Sequence, residues 1–152
     1  AGDKRSRFDR TEGRGTADPF AILGAPYIDA ETLTARFNAM KLPGVIATPL
    51  YFTPSASKYA GEMCGGMHLH VTDAHRVQPV ALGMQLLALI RELYPKHFSL
   101  LPPLREGDMP FLSKLAGHRL FENADWPVED WLACAEREAA AFAARKQAYH
   151  LY

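Results

Sequence analysis

The sequence predicts an α+β chain, an open α/β layer with a small mixed sheet and about three main helices. Three observations point there. Helical apolar spacing recurs near 30–41, 79–94 and 128–147. Between the first two stretches lie β-branched or alternating segments of strand length. The 152 residues are 48% hydrophobic, enough to bury a core at this size. Strands interrupted by helices in this order suit a layered domain, with parallel or antiparallel pairing left open.

The elements follow in order. Residues 1–10 are charged, with Phe8 the one large apolar side chain, and are expected to be a lead-in or linker. Residues 11–152 are expected to form the domain. A glycine-rich turn at 12–16 precedes a short apolar piece at 20–23. In the first helix Leu33, Phe37 and Met40 share one face, Asp29 is the N-cap, and Pro43-Gly44 stops it. Residues 45–52 read as a strand, and Pro49 inside it demands an edge position or a bulge. Residues 53–66 read as a loop. Residues 67–72 alternate, with Met67, Leu69 and Val71 on the core face and His68, His70 and Thr72 opposite. Pro79 suits the first turn of the second helix, whose stripe is Val80, Met84, Leu87, Ile90 and Tyr94. Residues 95–127 are irregular, with a possible strand at 98–101 and a short helix at 111–115. Val128, Trp131, Leu132, Ala135, Phe142 and Lys146 keep helical spacing in the last helix, and all three long stripes are expected to be core. Trp126 and Trp131 are assigned to packing.

Charge and composition exclude several classes. Seventeen basic and 17 acidic residues cancel, leaving no electrostatic footprint for nucleic acid or an anionic membrane surface. No apolar run approaches the ~20 residues of a membrane span. Cys64 and Cys134 have no CxxC spacing, and two buried free thiols are expected.

Three groups of residues bear chemistry. Glu12-Gly13-Arg14-Gly15-Thr16 joins a carboxylate, a guanidinium and a hydroxyl on a backbone freed by two glycines. Such a turn can form an anion-binding nest, and Arg14 adds bidentate recognition of a carboxylate or phosphate. Its bland alternative is a tight turn with a local Glu12–Arg14 pair. Tyr51, Lys58, Tyr59 and Glu62 surround a loop whose aromatic faces and charges suit sugar rings, or are simply exposed. His68, His70 and His75 with Glu62 raise a metal-dependent hydrolase, but a His-x-His pair is a weak signal and no HExxH pattern exists. No metal or cofactor is expected. His70 suits hydrogen bonding to a substrate.

Several stretches then combine. Thr11-Glu12-Gly13-Arg14-Gly15-Thr16, Pro19-Phe20 and Gly24-Ala25-Pro26-Tyr27-Ile28-Asp29 come first. Tyr51-Phe52-Thr53-Pro54, Ser57-Lys58-Tyr59-Ala60-Gly61-Glu62 and Cys64-Gly65-Gly66 follow. His70-Val71-Thr72-Asp73 and the terminal Tyr149-His150-Leu151-Tyr152 complete the set. In this order and spacing the chain resembles the C-terminal portion of the exo-β-N-acetylmuramidase family, formerly a family of unknown function. Residues 116–120 and His68 depart from the family pattern. The resemblance implies a two-domain glycosidase whose Rossmann-like N-terminal domain precedes this one and holds the principal catalytic glutamate. It implies release of terminal, non-reducing N-acetylmuramic acid from peptidoglycan fragments, with this domain as one wall of the cleft, in a secreted or periplasmic setting, a cytoplasmic recycling role being the alternative. Glu12 or Glu62 is then the expected second carboxylate. Arg14, Gly15, Thr16, Tyr51, Lys58, Tyr59 and His70 are the expected sugar contacts. The alternative is a non-catalytic carbohydrate-binding module.

Overall fold

A computed structural model describes residues 11–98, 103, 105, 107–119 and 127–149. The expected lead-in at 1–10, Trp126, most of the possible strand at 98–101 and the last three residues of the terminal motif lie outside that set. Phe98 itself is in no strand. The chain divides into two compact units, Ala1–Leu101 and Pro102–Tyr152.

The first unit contains β1 (Ile22–Ala25), α1 (Ala30–Ala39), β2 (Val45–Phe52), β3 (Cys64–Val71) and α2 (Pro79–Leu93). The sheet order is β1-β3-β2. Both ladders are antiparallel, so the sheet is antiparallel where a mixed one was expected; the parallel element is an isolated bridge between Pro19 and Ile22. For β2 and β3 the short connection explains this, because residues 53–63 fall short of the crossover of a dozen residues or more that a parallel pairing needs. The fold is α+β.

One face of the sheet carries the core. Leu23, Val45, Ala47 and Met67 point to it and meet Leu33 and Phe37 of α1 and Leu86, Leu89 and Ile90 of α2. Asp29 caps α1, its carboxylate accepting the Thr32 amide at 2.8 Å. The helix stops at Ala39, ahead of Pro43-Gly44, because Lys41 turns left-handed at φ 52°. Pro49 lies in an edge strand without a break in register. Its neighbour two residues back, Ala47, aims its amide and carbonyl away from β3. The Asn38 side chain takes both, each at 2.9 Å, in the manner of a further strand. Pro49 shares that outward direction, so its missing N–H removes no ladder bond.

Three further expectations in the first unit need correction. β3 begins at Cys64, inside the stretch expected to be loop, because two glycines hid a strand. Val71 and Val80 are 62% and 65% exposed, where each was expected in the core. Each sits at the end of its element, where the facing layer has run out.

The second unit contains α3 (Phe111–Ala116) and α4 (Val128–Lys146), followed by a 3-10 turn at Gln147–Tyr149. In α4 only Trp131 is buried, and Phe142, expected in the core, is 58% exposed. The helix stands instead on alanine-rich propensity, acidic Glu129 and Asp130 in its first turn and basic Arg145 and Lys146 in its last.

Candidate functional site

The turn at 12–16 hangs from the free edge of β1. Thr11 exchanges both backbone hydrogen bonds with Gly24, at 2.8 and 3.0 Å. The Glu12 carbonyl accepts the Phe20 amide at 2.8 Å, which closes the 12–20 segment into a loop. At its tip the Arg14 Nε donates to Glu12 Oε1 at 2.6 Å, with both side chains about half exposed. The Arg14 guanidinium also lies over the Phe20 ring, 5.1 Å from its centre. Guanidinium has five N–H donors in a planar fork. The Glu12 bond uses Nε, and the Nη edge is the part that could grip an anion in two parallel bonds.

Thr16 is already engaged within the turn. Its amide and hydroxyl both donate to the Gly13 carbonyl, at 3.0 and 2.6 Å. The anion nest expected at 13–16 is therefore incomplete, because the Thr16 N–H has a backbone partner. Gly15 holds the turn against the 53–62 loop. Its carbonyl accepts the Ser55 amide and hydroxyl, each at 2.9 Å. A Cβ on Gly15 would fall 2.5 Å from the Ala56 nitrogen, and φ there is +81°. Glycine is required on both counts.

The 53–62 loop is folded on its own backbone. The Gly61 amide donates to Pro54, and the Glu62 amide to Tyr59. Lys58 places its ammonium 5.2 Å from the Tyr59 ring centre, and Tyr59 packs against the core. Glu62 is exposed. Cys64 is fully buried below it, and burial, followed by the Glu62 charge, pushes its thiol pKa up. Both cysteines are free, but Cys134 is half-buried where burial was expected.

The histidines occupy the sheet face opposite the core. His68 Nε2 lies 2.8 Å from Asp18 Oδ2. A carboxylate only accepts, so His68 donates. The His68 and His70 rings are 4.3 Å apart, and His70 Nε2 bonds the Thr48 hydroxyl at 2.8 Å. Strand alternation puts Tyr51 on the other face. Its phenol donates to Glu31 at 2.5 Å beside the α1 N-terminus, and that bond, ahead of burial, raises its pKa.

The structure thus joins Glu12, Arg14, Gly15 and Thr16 to the loop that carries Lys58, Tyr59 and Glu62. It separates Tyr51 from His70 by the thickness of the sheet. Sequence reasoning missed Glu31, Asp18 and Phe20. An acidic residue in a first helical turn was a faint signal for Glu31, and nothing local could have paired Asp18 with His68, fifty positions away. Among the described residues no group of three His, Cys, Asp or Glu side chains could hold a metal ion, and no helix is long and apolar enough to cross a membrane.

The family model of the C-terminal part of the exo-β-N-acetylmuramidase NamZ matches residues 8–152. The peptidoglycan β-N-acetylmuramidase NamZ of Bacillus subtilis (strain 168) is 34% identical over 146 residues, covering 93% of this chain and 34% of that protein. A crystal structure of a DUF1343 family protein from Bacteroides fragilis NCTC 9343 superimposes with a TM-score of 0.76 at 21% identity, over 94% of this chain and 38% of the other, which supports the fold. The chain spans about a third of the length of the curated relative it matches. By these matches the chain belongs to the family of NamZ C-terminal domains.

Proposed function

We propose that this chain is the C-terminal domain of an exo-acting glycoside hydrolase that releases terminal, non-reducing N-acetylmuramic acid from peptidoglycan fragments. In this reading it forms one wall of a cleft whose other wall, an N-terminal domain of the same protein, holds the principal catalytic carboxylate. The setting is secreted or periplasmic, where peptidoglycan fragments arise. The relative named a peptidoglycan β-N-acetylmuramidase supports the reaction class.

One observation carries the site assignment: Arg14 is fixed through Nε by Glu12 at the tip of an exposed turn. N-acetylmuramic acid differs from N-acetylglucosamine by a lactyl carboxylate, and a guanidinium fork matches a carboxylate in two parallel bonds. Arg14 grips that carboxylate, and Glu12 acts as a positioning residue that sets the plane of the fork. Lys58 and the adjoining loop line the sugar's other side. Glycoside cleavage in most families uses two carboxylates. Glu62, exposed on the loop bound to the Arg14 turn, is the second carboxylate in this chain.

The test compares chromogenic N-acetylmuramide and N-acetylglucosaminide hydrolysis by the full-length protein. Arg14→Ala is expected to lower kcat/KM for the muramide by about tenfold to a hundredfold, the range of a lost charge-assisted hydrogen bond pair. Arg14→Lys should recover little, because an ammonium cannot bind in a fork. Glu12→Gln should raise KM, and Glu62→Gln should lower kcat. Unchanged discrimination between the two sugars in Arg14→Ala would remove the carboxylate assignment.

A further inference from the structure

Among the described residues, four other than glycine have positive φ: Phe20, Lys41, Ser57 and Tyr59. For a bulky side chain this is a costly conformation that persists only where its surroundings impose it. Three of the four have local reasons. Lys41 ends α1, Tyr59 packs its ring against the core, and Ser57 is small and lies in a loop. Phe20 has φ 74° and is 66% exposed, so burial does not compensate its strain.

The neighbouring chain forces that conformation from both sides. The Phe20 amide is tied to the Glu12 carbonyl. Two residues earlier, Asp18 is pinned by His68 at 2.8 Å. One residue later, the Ala21 carbonyl accepts the Leu69 amide at 2.8 Å. The outcome is an aromatic ring presented to solvent, with the Arg14 guanidinium over one of its faces, 5.1 Å from the ring centre. A pyranose has an apolar C–H face that lies well on an aromatic ring, and a fixed ring loses little freedom when it binds.

We propose that Phe20 is the stacking platform for the pyranose ring of the sugar whose carboxylate Arg14 receives, held in place by the Asp18–His68 pair. This deepens the reading of the site given above and rests on it. Phe20 touches the ring common to both amino sugars, whereas Arg14 touches the group that separates them. The two roles therefore fail separately.

The test is calorimetric titration of the full-length protein with N-acetylmuramic acid and with N-acetylglucosamine. Phe20→Leu is expected to weaken both sugars to the same degree, roughly tenfold, which is about 1.4 kcal/mol. Phe20→Tyr should keep both affinities. Phe20→Gly should weaken both as Leu does while leaving the Tm unchanged or higher, since glycine accepts φ 74° without strain. His68→Ala should give a smaller loss for both sugars, restored in part by an Asp18–amide pair in His68→Gln, whose amide nitrogen takes the place of Nε2. Wild-type affinity in Phe20→Leu overturns the proposal, as does a Phe20→Gly loss that tracks a lowered Tm. If Arg14→Ala keeps its discrimination while Phe20→Leu loses both sugars, the carboxylate reading falls and the platform stands. If the unaltered protein binds neither sugar, both fall.

Discussion

Asp29 begins its work within four residues of chain. Its carboxyl is held below the ordinary carboxylate range, first by the Thr32 hydroxyl and then by the Thr32 amide. A lowered pKa means that the folded state binds this proton less tightly than the unfolded one. Its stabilisation is therefore full above the ordinary carboxylate range and is lost as pH falls through the lowered value. In urea titrations, the stability gap between the unaltered chain and Asp29→Ala should be widest near neutral pH and close on acidification. Asp29→Asn, which caps without a charge, should show no such closure. A gap independent of pH would show that the cap works without its charge. Residues of this kind were readable in the sequence because both partners lie in one helical turn. Tyr51 was readable as a polar aromatic, but its partner Glu31 comes twenty positions earlier and on a different element. Thr16 was read as a ligand group, and only the folded turn reveals that its hydroxyl bonds Gly13.

Glycines decide what the sequence concealed at the level of elements. Gly65 and Gly66 made the stretch before Met67 look like loop, since glycine weakens strands. The fold needs them there because neighbouring backbone crosses at close range. A Cβ on Gly66 would lie 2.0 Å from the Leu23 carbonyl oxygen, and one on Gly65 would lie 2.1 Å from that of Ile28. Backbone cannot retreat as a flexible side chain can. Gly83, in α2, is the contrasting case, for a Cβ there meets nothing within 4 Å. The same substitution should thus act with opposite signs. Gly66→Ala is expected to destabilise by about 3 kcal/mol or more as severe overpacking. Gly83→Ala should stabilise by about 0.5–1 kcal/mol through helix propensity. Urea midpoints for the two variants check this, and a mild effect at Gly66 would mean that β1 can move off β3. The helices were more legible than the strands. Their apolar stripes repeat within one segment, whereas the edge role of Pro49 depends on Asn38, eleven residues earlier in another element.

The molecule as a whole is uneven in how it is held. Leu23, Phe37, Met67 and Ile90 belong to one continuous cluster, built from α1, α2 and all three strands of the first unit. Within the second unit α4 has the longest regular run among the described residues, yet buries only Trp131. A periodic apolar pattern records a capacity to be covered, and a run rich in alanine has little apolar area to gain by it. That is why the sequence read the α4 stripe as core and the structure leaves Phe142 exposed. Opening free energies should follow the same division, because backbone amides under few buried contacts exchange by local rather than global unfolding. Hydrogen exchange is expected to be slowest at Phe37, Met67 and Ile90, at rates set by global unfolding and sensitive to low urea. Amides of α4 beyond its first turn should exchange faster by about two orders of magnitude or more, as for openings some 3 kcal/mol cheaper. Their rates should respond weakly to urea, since fraying exposes little new surface. Equal protection in α4 and β3 would mean that the second unit is held by burial that the alanine-rich stripe does not supply.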